Sequence, residues 1–265
     1  MRFRPCIDIH DGKVKQIVGG TLRDDSAGTE ENYVSAWDAD RFARMYAEDH
    51  LTGGHVILLN PVGSPMYPKT WEQAEKALRA VPGLLQAGGG VSPENAWSFL
   101  DAGASHVIVT SYVFRDGRIH RERLEEMVRA VGAGRLVLDL SCRAVPDPEK
   151  GTAEYRIVTD RWQKISGETL TPELMRELGG SCSEFLVHAV DTEGRSKGPQ
   201  EEVLRILGEF CDSSDIPVTY AGGIHSMEDL QTVKSLGRGK IDFTVGSALD
   251  LFGGSLPYEM VKKAQ

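Results

Sequence analysis

Two aspartates could carry acid–base chemistry, because Asp8 and Asp139 each end a short apolar run that starts with an arginine, Arg4 and Arg135. Side chains alternate along a strand, so the arginine and the aspartate of each run point the same way. If that direction is inward in a closed barrel, both carboxyls reach its mouth. A carboxylate works best as a base or acid when its pKa moves from about 4 toward neutrality, which a desolvated mouth favours. One such aspartate alone is more typical of a helix cap or loop ligand, whereas the symmetric pair favours catalysis.

Two glycine turns in the C-terminal part of the chain predict a phosphate site. Gly222-Gly223 and Gly246-Ser247 each follow a β-branched or aromatic run. Glycine lets the backbone approach a ligand, and the N–H groups of a helix's first turn bind anions. We expect a short extra helix over 247–251, as in barrels that hold phosphate after strands 7 and 8. A tight turn without a ligand is the plainer interpretation of either pair alone.

Three further side chains could contact a substrate at the same end of the molecule. His188 ends the sixth predicted strand and could donate to a reacting sugar, or could be a packing residue. Trp162, in a long connection, could cover a flat heterocycle or only anchor its loop. Arg143 is a cation near the mouth or a solvated surface charge.

Strand and helix patterns alternate eight times, which predicts a parallel sheet closed into a (β/α)8 TIM barrel. The 265 residues suit one such domain, over residues 1–265. An open doubly wound sheet is the alternative, but no GxGxxG motif follows the first strand. Two connections are unusually long, 19–37 and 145–171, and we interpret both as candidate lids.

The element boundaries follow from the apolar patterns, the caps and the glycines. We predict strands over 3–7, 55–59, 84–87, 106–109, 135–138, 184–188, 217–221 and 242–245. We predict helices over 38–50, 70–80, from Ser92-Pro93 onward, over 121–131, 172–178 and 199–210, one with Ser226 and Asp229 as its capping box, and one from Pro257 onward.

The pattern also repeats at about half of the chain's length, as expected of two fused four-strand halves. The matched runs are Arg4…Asp8 with Arg135…Asp139, Gly89-Gly90-Val91 with Gly222-Gly223-Ile224, and Val109-Thr110-Ser111 with Val245-Gly246-Ser247. The repeat predicts a second phosphate site at Gly90, Thr110 and Ser111, opposite the first. A substrate with a phosphate at each end and proton transfers at its centre would fit between them.

Composition narrows the classes of partner and compartment. The net charge is −9 and no basic block is present, so a nucleic-acid footprint is missing. Cysteines occupy positions 6, 142, 182 and 211 without metal-site spacing, which favours reduced thiols in the cytoplasm. No apolar run has the length of a membrane span or a signal peptide. We expect a monomer, because one barrel would contain both halves of the site.

The runs RPCIDIHDGKVKQIVG (4–19), LDLSCR (138–143), AGGI (221–224) and GSALDLFGG (246–254) resemble the phosphoribosylformimino-AICAR-phosphate (ProFAR) isomerase family of histidine biosynthesis. The likeness spans nearly the whole chain and is closest to the eukaryotic members. It implies an Amadori rearrangement of an aminoaldose to an aminoketose on a substrate with two phosphates, without metal or organic cofactor. It implies that Asp8 takes the C2 proton and that Asp139 is the acid that opens the ribose ring. The implied phosphate ligands are Gly90, Thr110 and Ser111 on one side, and Gly223, Gly246 and Ser247 on the other.

Three departures from the bacterial members of this family concern residues around the substrate. Leu58 stands where they usually have Asp, Gln16 stands where many have Arg, and 191–194 replaces a Lys/Arg-Asp-Gly-Thr run. His188 occupies a usual Thr position, and Gly194 is kept as a substrate-binding candidate. The aspartate pair is unchanged.

Three other functions remain as alternatives. The cyclase barrel of the same pathway has the same half-barrel repeat and two aspartates, but needs a glutaminase partner. Phosphoribosylanthranilate isomerase chemistry would need Cys6 as the base, two residues deeper than Asp8. A catalytically silent barrel that binds phosphosugars is the third.

Overall fold

The structure, a computed structural model, describes residues 1–17, 31–147, 151–160, 162–194 and 197–264. Most of the first candidate lid, 19–37, lies outside these residues. Eight parallel strands form the centre: β1 Cys6–His10, β2 His55–Leu58, β3 Gln86–Gly88, β4 Val107–Val109, β5 Leu136–Asp139, β6 Glu184–His188, β7 Val218–Ala221 and β8 Asp242–Phe243. The helices that follow them in turn are α1 Ala39–Glu48, α2 Tyr67–Ala80, α3 Ala96–Asp101, α4 Arg121–Val131, α5 Pro172–Gly179, α6 Glu201–Asp212, α7 Met227–Leu236 and α8 Tyr258–Val261.

The sheet closes on itself. Each strand from β1 to β8 pairs in parallel with the next. Phe3 forms a parallel bridge with Phe243, and the Arg4 N–H donates to the Phe243 carbonyl at 2.8 Å. The predicted (β/α)8 barrel is confirmed, and an open sheet is excluded because its two edge strands are bonded to each other.

The barrel separates two apolar layers. Inside it, the buried residues Ile108, Val137 and Leu186 form a small cluster, and the partly buried Ile57 packs against it. Outside it, a much larger cluster fills the space between the strands and the helices. Helix α1 shows why these helices dock, because its buried residues recur at helical spacing, Ala39, Phe42, Ala43 and Tyr46. The inner layer supports the mouth from below.

A polar network fills the barrel where the strands begin. Arg4 Nε donates to Asp242 Oδ2 at 2.8 Å, and Arg4 NH2 lies 3.5 Å from Glu184 Oε2. Glu184 also accepts hydrogen bonds from Gln86 at 2.9 Å and from Thr219 at 2.8 Å. Buried charges persist when they are paired and bonded in this way.

Additional strands are attached at the end where the barrel strands finish. Lys13–Ile17 pairs with β1 as an antiparallel hairpin, and Glu31–Val34 pairs with it in turn. After β5, the segments Cys142–Asp147, Thr152–Thr159 and Lys164–Thr169 form a three-stranded antiparallel sheet. The second long connection, 145–171, is therefore regular structure for most of its described length.

Several predicted boundaries are wrong. The first strand is Cys6–His10 rather than 3–7, so Asp8 lies within it, and α2 begins at Tyr67 rather than Thr70. Ser92 does not cap α3, which begins at Ala96. The expected helix over 247–251 is a 3-10 turn at Asp250–Phe252.

Arg135 does not repeat Arg4, despite its place in the sequence repeat. Arg4 is buried in the polar network, whereas Arg135 is exposed and ends a 3-10 turn, 6.0 Å from the Trp97 ring. β5 begins only at Leu136, so this arginine stands before the strand, outside the barrel. Within the described ranges, the structure contains no helix of the length and apolar character needed to cross a membrane.

Candidate active site

Asp8 lies in the middle of β1, and its pKa is raised far above the ordinary value of an aspartate. Gln16, on the strand that folds back against β1, donates from Nε2 to Asp8 Oδ2 at 3.3 Å. Burial, and next the negative charge of Glu193, raise the pKa of Asp8 to about 7, while the His188 charge and the Gln16 hydrogen bond oppose this rise. A carboxyl with this pKa exchanges protons readily near neutral pH.

Asp139 is the last residue of β5 and belongs to a chain of hydrogen bonds. Ser141 Oγ donates to Asp139 Oδ1 at 2.8 Å, and Trp162 Nε1 donates to Ser141 Oγ at 2.9 Å. His188, the last residue of β6, places Nδ1 3.3 Å from the same Asp139 oxygen. β5 and β6 are neighbours in the barrel, which brings the aspartate and the histidine together.

The two aspartates share one electrostatic environment. His188 interacts with the charges of Asp139, Glu193 and Asp8, which come from three different segments. Burial by itself lowers the pKa of His188, but Asp139, Glu193 and Asp8 together raise it to about 9. Asp8 and the Asp139–His188 pair therefore lie close enough for their charges to interact.

Glu193 is a member of this group that the sequence interpretation missed. It follows β6, and burial raises its pKa while the His188 charge opposes the rise. An acidic residue directly before Gly194, in a loop after a barrel strand, was the available signal.

A cavity beside this group has the character of an anion site. It is lined by Glu193, Gly194 and the residues 222–224 and 244–248. No described residue accepts a hydrogen bond from the backbone N–H of Gly223, Gly246 or Ser247. These three donors are available to a phosphate oxygen.

The start of α7 does not supply donors as expected. The N–H groups of His225 and Ser226 donate to Asp229, and the Asp229 N–H donates to Ser226 Oγ. The predicted capping box is confirmed. It occupies the N–H groups of His225, Ser226 and Asp229, and phosphate binding by the neighbouring glycine turn stays a prediction.

Glycine is required in this turn for steric and conformational reasons. Gly222 and Gly223 have φ of +122° and +77°, which side chains rarely adopt. A methyl group on Gly223 would overlap the Gly198 carbonyl, and one on Gly246 would overlap Gln16 Oε1. At 222–223 the backbone can therefore reach a ligand only without side chains, whereas at Gly246 the end of the Gln16 side chain would have to move.

The second predicted phosphate site has its residues on neighbouring strands. Gly90 follows β3 with φ of +72°, and Thr110 and Ser111 follow β4 directly. β3 and β4 pair in parallel. The two turns are therefore adjacent at the mouth, and phosphate binding there stays a prediction.

Comparison with known proteins identifies the family to which the chain belongs. A model of the family described as histidine biosynthesis protein matches residues 2–256. The chain belongs to the histidine biosynthesis protein family.

Named members of this family are similar to the chain over nearly its full length. A relative from Medicago truncatula, named 1-(5-phosphoribosyl)-5-((5-phosphoribosylamino)methylideneamino) imidazole-4-carboxamide isomerase, chloroplastic, is 50% identical over 265 residues, which cover 98% of this chain and 80% of the relative. Isomerases of the same name from Neurospora crassa and Saccharomyces cerevisiae are 44% and 39% identical, with 96% of this chain and 93% and 94% of theirs covered. The name denotes ProFAR isomerase, the enzyme that the motifs resemble.

In this member of the histidine biosynthesis family, Arg143 lies on the first strand of the sheet after β5, and Trp162 lies in the turn before its third strand. The Trp162 ring lies 6.0 Å from the His188 ring, and its φ of +67° is unusual for a large side chain. Arg143 Nε lies 3.1 Å from Asp191 Oδ1, and both side chains are about one-third exposed. Trp162 thus reaches the mouth, whereas Arg143 neutralises a neighbouring carboxylate.

Cys6 is a poor candidate for the base in this family member. Its side chain is buried, with Sγ 3.7 Å from the Val245 carbonyl. Burial, and next the charge of Asp8, raise the pKa of this thiol well above its ordinary value. It remains a neutral thiol beneath Asp8. Among the described side chains, no three His, Cys, Asp or Glu residues are grouped as metal ligands.

Proposed function

We propose that this protein is an aldose–ketose isomerase that converts ProFAR to its phosphoribulosyl isomer in histidine biosynthesis. One observation carries the proposal: Asp8, with a pKa near 7, shares a mouth with the Asp139–His188 pair, beside a glycine-lined cavity. The names of the relatives support the same reaction.

The reaction needs proton transfers at the centre of a substrate that carries two phosphates. Opening of the ribose ring requires a proton at the ring oxygen, and the rearrangement then requires removal of the C2 proton. We assign the second task to Asp8, whose raised pKa suits a base near neutral pH. We assign protonation of the ring oxygen to the Asp139–His188 pair.

The phosphates hold the substrate between these groups. Gly223, Gly246 and Ser247 offer backbone donors to one phosphate, and Gly90, Thr110 and Ser111 offer a second site. Binding at both ends would fix C1 and C2 of the ribose at the carboxyls. Such positioning lowers the barrier by reducing the freedom of the reacting groups before the chemical step.

The test is turnover of ProFAR by the purified protein, followed by product absorbance. We expect Asp8→Asn and Asp139→Asn each to lower kcat by at least roughly 100-fold, the usual contribution of a general acid or base. Asp101→Asn is the matched control, since Asp101 is an exposed carboxylate at the end of α3. Near-wild-type rates in both mouth variants would exclude the proposal.

The same assay distinguishes the cyclase alternative. A cyclase would form its product only with ammonia or a glutaminase partner, whereas an isomerase needs neither. We further propose a monomeric single barrel that acts in the cytoplasm. Light scattering after size exclusion tests the mass, and a fluorescent fusion tests the compartment, with a plastid as the contrary result because the Medicago relative is named chloroplastic.

A further inference from the structure

The hydrogen bonds around Asp139 have a fixed direction. An indole N–H can only donate, so Ser141 Oγ accepts from Trp162 and turns its own hydrogen toward Asp139 Oδ1. His188 Nδ1 lies 3.3 Å from this same oxygen. With a hydrogen on His188 Nδ1, Asp139 Oδ1 would be the common acceptor of two donors.

The contact of His188 with Asp139 uses only one of the two ring nitrogens. Nδ1 faces Asp139, and no described residue forms a hydrogen bond with Nε2. His188 ends β6, and its ring contacts the Trp162 ring at 6.0 Å. Nε2 is the atom of this pair that remains available to a substrate.

We propose that His188, as an imidazolium, donates the proton that opens the ribose ring, and that Asp139 is the positioning residue that holds this cation. The inference rests on the proposed isomerase function and changes the role that the family resemblance implies for Asp139. It makes His188 the catalytic acid and Asp8 the catalytic base.

His188 gives its Nε2 proton to the ring oxygen as the C1–O bond breaks and the amine lone pair forms a C1=N bond. Asp8 then removes the C2 proton, the C–H electrons form a C1=C2 bond, and the C1=N electrons return to nitrogen. Neutral His188 takes the proton of the C2 hydroxyl while Asp8 returns its proton to C1. The product is the ketose, and both side chains recover their starting states.

The charges around His188 favour the cation. The groups that face it are Asp139 on β5, Glu193 after β6, Asp8 on β1 and His55 on β2. The three carboxyl groups outweigh the desolvation of the ring and raise its pKa to about 9. Burial, followed by the His188 and Arg4 charges, lowers the pKa of His55 to about 3, so His55 is neutral and adds no cation of its own.

The first experiment locates the proton without substrate. Histidine-labelled protein is titrated by NMR, with the His188 signal assigned by its loss in His188→Gln. We expect a protonated ring at pH 7.5 and a fall in its pKa of at least about one unit in Asp139→Asn. His50→Asn is the control for assignment, because His50 is exposed, follows α1 and has a φ of +58° that asparagine tolerates. A neutral His188 at pH 7.5 would overturn the proposal.

The second experiment measures the pH profile of kcat/KM. The wild type should show an alkaline limb set by His188, and His188→Gln should lose that limb together with at least roughly 100-fold in rate. An alkaline limb unchanged in His188→Gln would overturn the proposal. A wild-type protein that does not convert ProFAR counts against the proposed function, whereas an active wild type with a fully active His188→Gln counts against His188 alone.

Discussion

Gln16 donates a hydrogen bond of 3.3 Å from Nε2 to Asp8 Oδ2. The other end of the same amide, Oε1, occupies the space beside Gly246, where a side chain would overlap it. One buried glutamine therefore touches both the proposed base on β1 and the glycine turn after β8 that lines the anion cavity. We expect substrate binding and the pKa of Asp8 to be coupled through this side chain.

Replacement of Gln16 by leucine should shift the acid limb of the kcat/KM profile to higher pH. The glutamine N–H stabilises the ionised form of Asp8, so its loss raises a pKa that is already about 7. A shift of roughly 0.5 to 1 pH unit corresponds to the loss of one such hydrogen bond. Gln16→Glu places a like charge beside Asp8 and should shift the limb further. An acid limb at the wild-type position in both variants would contradict the coupling.

Asp8→Asn should make the protein more stable at alkaline pH. The pKa of Asp8 is raised from 3.8 to about 7, so this group favours folding when protonated and loses that contribution as pH rises from about 4 through 7. Removing the charge should raise the free energy of unfolding by on the order of 2–4 kcal/mol at pH 8.5. This range is lower than the full pKa shift would give, because water still screens the partly exposed side chain. Urea unfolding at pH 8.5 and pH 4 measures this. Equal free energies of unfolding for the two proteins at pH 8.5 would show that burial does not disfavour the ionised form of Asp8.

Gly246→Ala should weaken substrate binding more than it weakens the fold. The added methyl group would overlap Gln16 Oε1 at the wall of the cavity. We expect KM to rise at least roughly tenfold, as for the loss of about 1.4 kcal/mol of binding, with competitive inhibition by inorganic phosphate weakened in parallel. Gly134→Ala is the control, because no atom lies within 4 Å of the added carbon. A KM equal to that of the control would argue against phosphate binding at this turn.

Arg4→Met should destabilise the protein by about 3–5 kcal/mol, because it leaves Glu184 buried without this cation, while Asp242 keeps its contact with Arg2. Arg135→Met is the matched control, since Arg135 is exposed and its guanidinium carbon lies 6.0 Å from the centre of the Trp97 ring. The Arg135→Met substitution should lower the free energy of unfolding by less than about 1 kcal/mol. The midpoint of urea unfolding measures both. Similar losses in the two variants would mean that the buried network contributes little.

The amino-acid sequence determined the features that depend on neighbours along the chain. Alternating apolar patterns gave eight strand and helix pairs, because each element's periodicity is local. The glycines of 222–223 marked a turn that needs positive φ, which is again a local property. The positions of Asp8 and Asp139 at one mouth followed once the strands were known to be parallel and closed.

The tertiary structure alone decided the proton chemistry of the site. Gln16 reaches Asp8 across a hairpin, and Glu193 and His188 act on it from other segments of the barrel. It also separated Arg4, buried in a network, from Arg135, which lies on the surface despite the repeat. Coulomb energy and desolvation depend on the distance between charges and on the water removed around them. Neither quantity is defined until distant segments of the chain have packed together.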